Sequence, residues 1–133
     1  MPFLPDTNVW ISHLKQPGSG IELRLRSLTP GDVFLCSIVK AELWHGARKY
    51  GRSDLRLAIL AKLFEPFESI AFDDEAARHC ADIRHELEVE GALIGPNDLK
   101  IAAIARARGL TLVSSDKEFR RVSGLRFEDW TDG

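Results

Sequence analysis

A chain of 133 residues that is 44% hydrophobic and 29% charged has the size and composition of one globular domain with its own core. The sequence after Met1 lacks a basic, then apolar leader, and no apolar run is long enough to cross a bilayer. Cys36 and Cys80 lie far apart without C-x-x-C spacing, which favours two reduced, buried thiols over a disulfide or zinc site. We therefore expect a cytoplasmic protein with no membrane segment.

The net charge of −2 gives no overall sign of a nucleic-acid partner, but the charges are unevenly distributed. Residues 65–90 hold nine acids, and residues 96–126 hold seven bases. This clustering fits a basic rim on an acidic protein, and it fits solvated helix faces equally well.

Short apolar runs alternate with helix-length segments along the first half of the chain. Residues 3–5 predict a short strand that leads into a helical turn, and residues 20–28 suit either a strand or a short helix. Residues 32–37 predict a strand. A helix should follow with Ser37 as its N-cap and an apolar stripe of Val39, Leu43, Ala47 and Tyr50. A second helix is predicted over residues 53–64, capped by Ser53.

The second half of the chain continues the alternation. The predicted elements are a strand at 68–72, a long helix ending at Gly91, a helix at 95–109, a strand at 111–116, a helical turn at 117–122 and a strand at 125–130. Strands separated by helices indicate βαβ units, so we expect an α/β fold with a parallel sheet of four or five strands and helices on both faces.

One predicted helix carries an acid on its buried side. At helical spacing, Asp98 shares a face with Ile101, Ala102 and Ala105, which should turn toward the core. A carboxylate turned inward needs a partner, because an unpaired buried charge costs several kcal/mol or is neutralised.

Three further acids belong to the same end of the predicted sheet. Asp6 directly follows the first strand, Asp116 ends a later strand, and Glu42 lies in the second turn of the helix after another. The carboxyl ends of parallel strands meet at one edge, where ligands bind. Each acid also has an ordinary explanation, as a helix cap, a complement to a helix dipole or an exposed helix residue.

Four gathered carboxylates repel one another unless a cation lies between them. No lysine or arginine is an obvious partner in sequence, whereas a divalent cation would resolve the repulsion. Oxygen ligands without nearby histidines favour Mg²⁺ or Mn²⁺ over zinc. The residues alone therefore predict a metal-dependent site for phosphate transfer or hydrolysis.

The motifs LPDTNVWI, SIVKAELWHGA, PNDLKIAAIARARGLTLVSSD and GLRFEDW resemble the PIN-domain family, and more narrowly the VapC-type toxin ribonucleases of type II toxin–antitoxin systems. The resemblance covers nearly the whole chain and implies a single PIN domain over residues 1–133, folded as a three-layer α/β/α sandwich. It also implies a Mg²⁺- or Mn²⁺-dependent endoribonuclease that hydrolyses RNA phosphodiester bonds with a metal-activated water.

By position, the resemblance assigns the catalytic, metal-binding acids to Asp6, Glu42, Asp98 and Asp116. The side chains that would support them by orienting a ligand or water are Thr7, Asn8 and Ser114. The bases that are candidates for holding the RNA backbone are Lys100, Arg106, Arg120 and Arg121. The resemblance further implies a VapB-type antitoxin partner and a homodimer. Two alternatives remain open at this point: a housekeeping PIN-domain RNA-processing nuclease, and a non-catalytic signalling or binding module with a Mg²⁺ pocket.

Overall fold

Strands and helices alternate along the computed structural model, which describes residues 2–131. The strands are β1 (Phe3–Pro5), β2 (Phe34–Cys36), β3 (Glu68–Ile70), β4 (Thr111–Val113) and β5 (Arg126–Glu128). The α-helices are α1 (Thr7–Lys15), α2 (Gly20–Arg26), α3 (Ser37–Lys49), α4 (Ser53–Phe64), α5 (Asp74–Val89) and α6 (Pro96–Arg108). Short 3₁₀ helices cover Pro30–Asp32 and Lys117–Arg121. None of the helices in the described part of the chain has the length and apolar character that a bilayer span requires.

The strands all pair in parallel. β4 lies between β1 and β5, while β2 pairs with β3. An isolated parallel bridge between Phe3 and Val33 connects the two groups, which places the described strands in the order β3-β2-β1-β4-β5. The predicted α/β fold with a small parallel sheet is confirmed.

Helices cover both faces of this sheet. Successive side chains of a strand point to opposite faces, and Phe3 and Leu4 of β1 accordingly belong to different hydrophobic clusters. Phe3 packs in the smaller cluster, which includes Ile21 of α2 and Trp130. Leu4 packs in the larger cluster, which is built mainly from α3, α4, α5 and α6. The three-layer α/β/α prediction is therefore confirmed.

Two predicted helix caps are wrong by one residue. The N-cap of α3 is Cys36, the last residue of β2, so the chain passes from strand to helix without an intervening residue. The hydroxyl of Ser37 instead accepts a hydrogen bond from the backbone N–H of Phe72. At α4 the N-cap is Arg52, whose left-handed φ of 48° turns the chain before Ser53 begins the helix.

The apolar stripe of α3 ends earlier than predicted. Val39, Leu43 and Ala47 are buried as expected, but Tyr50 lies just beyond the last helical residue and is 66% exposed. Within residues 20–28, for which strand and helix are both open in the sequence, the structure has helix α2 over Gly20–Arg26, with Ile21 as its buried residue. Of the other predicted strands, β1 covers residues 3–5 as predicted, and β2, β3, β4 and β5 are present but shorter than the apolar runs that indicated them.

The thiols agree with the sequence prediction in being free. Cys36 is buried and Cys80 is partly buried. Burial raises the pKa of both thiols, so both stay protonated at neutral pH.

Candidate active site

Asp6 connects the sheet to the first helix. Its backbone N–H continues the ladder by donating to the Val113 carbonyl at 2.8 Å, and its Oδ1 accepts from the Val9 N–H at 3.0 Å as the N-cap of α1. The residue is only 4% exposed. Burial raises the pKa of Asp6, and the negative charges of Asp116 and Glu42 raise it further. The ordinary role as a helix cap and a role in a site are therefore both compatible with this placement.

Glu42 is held by residues from two other helices. The Thr7 hydroxyl donates to Glu42 Oε1 at 2.5 Å, and the Asn97 side-chain amide donates to Oε2 at 3.4 Å. Thr7 begins α1 and Asn97 lies in the first turn of α6. Because each carboxylate oxygen accepts a hydrogen bond from its own donor, the Glu42 carboxylate is held between the start of α1 and the start of α6.

Asp98 lies in the first turn of α6, which begins at Pro96 after Gly95. Further along the helix, Ile101, Ala102 and Ala105 are buried, so the predicted inward face is present. The pKa of Asp98 is raised to about 6 by burial, the largest cause, together with the charges of Asp116, Glu42, Asp6 and Glu118. Asp98 therefore lies in a strongly negative field.

Ser114 joins the first and fourth predicted acids. Its hydroxyl donates to Asp6 Oδ2 at 2.5 Å and accepts from the Asp116 N–H at 2.9 Å. Asp116 in turn caps the 3₁₀ helix, since its Oδ1 accepts from the Glu118 N–H at 2.9 Å. Ser114 is buried, whereas Asp116 is partly exposed.

Three of the four acids line one open cavity of about 460 Å³, which we call the acidic cavity. Its lining residues are Asp6, Thr7, Asn8 and Ile11 from the start of the chain, Ala41, Glu42, His45, Gly46, Lys49 and Tyr50 from the α3 region, and Asn97 and Asp98 from α6. Asp116 and Ser114 do not line it. Asp116 is nevertheless close enough for its charge to raise the pKa of both Asp6 and Asp98.

The donor set suits a hard divalent cation in its chemistry. Carboxylate and hydroxyl oxygens are the ligands that Mg²⁺ and Mn²⁺ prefer, and the mutual repulsion of the acids favours a positive charge between them. Within residues 2–131, however, no three His, Cys, Asp or Glu side chains are already arranged around a common ion position. A cation that keeps several waters and contacts one or two carboxylates fits this arrangement better than one held in an all-protein cage.

The bases predicted to hold RNA do not line the acidic cavity. Arg106 donates to His79 Nδ1 at 3.0 Å and to the Ser123 carbonyl at 3.1 Å, so it ties α6 to its neighbours. Arg121 donates to the Ala92 carbonyl at 3.3 Å. The two other bases also have neighbours outside the cavity: the Arg120 guanidinium lies 5.6 Å from the Phe127 ring centre, and the charge of Lys100 acts on the Cys80 thiol of α5.

The structure adds cavity residues that the sequence prediction missed. Lys49 and Tyr50 line the cavity seven and eight positions after Glu42, and Gly46 lines it four positions after, next to His45 at three positions after. These offsets mark one face of a helix. The signal was therefore present in the sequence, but it becomes meaningful only once Glu42 is known to face a cavity.

Known proteins are similar to this chain in sequence and in fold. Residues 3–125 match the PIN domain. The tRNA(fMet)-specific endonuclease VapC of Shigella flexneri is 36% identical, with 98% of this chain and 99% of that protein covered. Ribonuclease VapC2 of Haemophilus influenzae is 35% identical, with 98% of both chains covered.

Solved structures of VapBC proteins have the same fold as this chain. The DNA-bound VapBC of Salmonella typhimurium matches with a TM-score of 0.92 and 35% identity over 98% of both chains. VapBC2 of Rickettsia felis, bound to a DNA fragment from its promoter, matches with a TM-score of 0.90 and 30% identity over 98% of this chain and 99% of that one. This chain therefore belongs to the PIN-domain family and, within it, to the VapC ribonucleases.

Proposed function

We propose that this chain is a divalent-cation-dependent endoribonuclease and the toxin of a VapBC-type toxin–antitoxin module, with residues 1–133 forming a single PIN domain. The observation that carries the proposal is the convergence of Asp6, Glu42 and Asp98 on one cavity, where the negative charges of Asp6 and Glu42 contribute to the raised pKa of Asp98. Mg²⁺ is the proposed cation, with Mn²⁺ as its substitute. When bound, the cation would supply the positive charge that activates a water and stabilises the phosphate under attack.

The protein's own residues would prepare the site for that chemistry. Ser114 fixes one oxygen of Asp6, and Thr7 and Asn97 fix the two oxygens of Glu42. A positive charge would favour the ionised form of Asp98, whose pKa is raised to about 6. Asp116 is proposed to complete the negative field through the Ser114 link, and Asn8 to contact a ligand or water at the cavity wall.

The substrate proposed is RNA, including transfer RNA. The Shigella flexneri relative is named for its action on tRNA(fMet), and similarity over nearly the whole length supports a substrate of the same class. A VapB-type antitoxin is the proposed partner, because the similar structures from Salmonella typhimurium and Rickettsia felis are VapBC assemblies. A homodimer and action in the cytoplasm complete the proposal.

Cleavage of total RNA by the purified chain tests this function. With Mg²⁺ or Mn²⁺ we expect defined fragments, and with excess EDTA we expect intact RNA. Asp98→Asn should abolish cleavage while the circular dichroism spectrum remains that of the wild type. Equal cleavage by the folded Asp98→Asn variant, or undiminished cleavage in EDTA, would refute the proposal.

A further inference from the structure

The acidic cavity extends well beyond its carboxylates along one face of α3. His45, Gly46, Lys49 and Tyr50, which we call the α3 stripe, follow Glu42 at offsets of three, four, seven and eight and line the same cavity. At a rise of about 1.5 Å per residue, Lys49 and Tyr50 lie ~10–12 Å along the helix axis from Glu42. Lys49 and Tyr50 are therefore placed to contact the nucleotide next to the phosphate under attack, and not that phosphate itself.

The charge of the side chains that line the cavity changes sign from one end to the other. Asp6, Glu42 and Asp98 make one end of the cavity negative, and Lys49 is the cationic side chain among the lining residues. The three carboxylates on their own repel an RNA backbone. Besides the divalent cation proposed to lie among them, Lys49 at the other end of the cavity provides a positive charge that attracts a neighbouring phosphate.

Tyr50 offers a flat surface next to that cation. Tyr50 as a residue is 66% exposed, and the Lys49 ammonium lies 5.3 Å from the ring centre. Exposed aromatic rings that flank a cationic groove are where single-stranded nucleic acids stack their bases. A lysine over a tyrosine is also a common surface pair, but this pair belongs to the wall of the same cavity as the acids.

Gly46 makes room in the middle of the stripe. A glycine inside a helix costs about 0.5–1 kcal/mol relative to alanine. Packing does not demand glycine here, because a Cβ at this position would have no heavy atom within 4 Å. The effect of Gly46 is instead to leave the cavity open between the carboxylates and Lys49.

We propose that the α3 stripe is the subsite for the nucleotide next to the cleaved bond, with Lys49 contacting its phosphate and Tyr50 stacking on its base. The inference rests on the proposed ribonuclease function and deepens it by assigning the path of the strand. The RNA strand would run from the carboxylates over Gly46 toward Tyr50, with His45 beside it.

Lysine substitution tests the phosphate contact. Binding of a fluorescently labelled single-stranded oligoribonucleotide of mixed sequence is measured against NaCl concentration, in an Asp98→Asn background so that the probe stays intact. Lys49→Gln should weaken binding several-fold and reduce the slope of log K against log salt by about 0.7, the value for one neutralised phosphate on a single strand. The matched control is Lys62→Gln, an exposed lysine of α4 that does not line the cavity, and it should leave the slope unchanged.

Substitutions at two further positions test base stacking and the space in the cavity. Tyr50→Ala should weaken binding about ten-fold, whereas Tyr50→Phe should bind like the parent, because the ring alone supplies the stacking surface. Gly46→Leu should weaken binding while raising the melting temperature, since leucine favours the helix but fills the groove. Gly46→Ala, with a smaller side chain, should raise the melting temperature with little loss of binding.

The outcomes separate this inference from the proposed function. If the wild type cleaves RNA and the Lys49, Tyr50 and Gly46 variants all bind the probe like their parent, the assignment of the α3 stripe is wrong and the ribonuclease proposal stands. Unchanged RNA binding together with lost inhibition by the cognate antitoxin would also overturn it and assign the stripe to the protein partner. If the wild type neither cleaves nor binds RNA, both proposals fail.

Discussion

The Ser114 hydroxyl donates a hydrogen bond to Asp6 Oδ2 across 108 positions of sequence. The contact exists because β1 and β4 are parallel neighbours whose ends coincide, with Pro5 opposite Val113. The same hydroxyl accepts from the Asp116 N–H, so one buried side chain fixes the geometry of the first and fourth acids.

Removing that hydroxyl should weaken the site without removing an acid. In Ser114→Ala, Asp6 loses a donor that lowers its pKa, so its charged form becomes less favourable. We expect RNA cleavage to fall about ten-fold and the free energy of unfolding to fall by about 1 kcal/mol. Steady-state cleavage and urea titrations measure both quantities. Ser114→Thr retains the hydroxyl and serves as the control, and full activity in Ser114→Ala would contradict the role assigned to Ser114.

Thr7 should act through Glu42. Thr7→Val keeps the shape of the side chain but loses the 2.5 Å hydrogen bond to Glu42 Oε1. Loss of a group that orients a metal ligand costs on the order of 10–100-fold in metal affinity or activity. We expect a rise of that size in the Mn²⁺ concentration that gives half-maximal cleavage. Thr7→Ser should restore the wild-type requirement, and an unchanged requirement in Thr7→Val would show that Thr7 does not position Glu42 for a cation.

The stability of the metal-free protein should fall as pH rises through the range in which Asp98 ionises. The pKa of Asp98 is 3.8 in the unfolded reference and about 6 in the folded protein. Between these values the folded state holds the proton that the unfolded state has released, so this group's contribution to stability decreases from about pH 4 to about pH 6. Urea denaturation in EDTA across this range measures the change.

Asp98→Asn removes this titration and isolates its effect. Near pH 7 in EDTA we expect the variant to be more stable than the wild type by about 1–2 kcal/mol, a value reduced from the full pKa shift because Asp98 is partly exposed. Near pH 4 the advantage should disappear. A variant that is less stable than the wild type near pH 7 would mean that the negative field around Asp98 has been misjudged.

Arg106 provides a test of the predicted RNA-binding bases. Its bonds to His79 and Ser123, together with a 3.9 Å ion pair to Glu86, join α6 to α5 and to the chain after the 3₁₀ helix. We expect Arg106→Gln to lower the free energy of unfolding by about 1–2 kcal/mol and to leave the salt dependence of RNA binding unchanged. A reduced salt slope with unchanged stability would restore Arg106 to the RNA interface.

Local sequence patterns predict which helices and strands form, but they do not predict the exact residues at which these elements begin and end. Apolar runs and periodicity located the strands and helices, including residues 20–28, whose alternation left strand and helix open until packing on Trp130 and Phe3 selected the helix. The caps at Ser37 and Ser53 failed because the chain enters α3 directly from a strand and enters α4 through a left-handed residue. Neither feature has a signal in the residue types alone.

The acids of the site could be predicted, and the rest of the cavity could not. Asp6 and Glu42 occupy positions that parallel topology brings to one sheet edge, so their meeting follows from the order of the elements. Asp98 lies on a helix that no strand directly precedes, so its place in the cavity depends on where α6 begins. The cavity wall formed by Lys49 and Tyr50 depends on which face α3 turns toward α1 and α6. That orientation is set by the burial of Val39, Leu43 and Ala47. The sequence pattern predicts Tyr50 as a fourth buried residue of this apolar face, whereas Tyr50 is exposed.

Direct titration with Mn²⁺ tests the central claim that Asp6, Glu42 and Asp98 share a divalent cation. Free Mn²⁺ is measured by electron paramagnetic resonance as it is added to the metal-free wild type, Glu42→Gln and Asp98→Asn, with Glu90→Gln as a control at an exposed acid beyond α5. We expect saturable binding to the wild type and to Glu90→Gln, and at least ten-fold weaker binding to the two site variants. Equal binding by all four proteins, or none by the wild type, would mean that these acids do not share a cation.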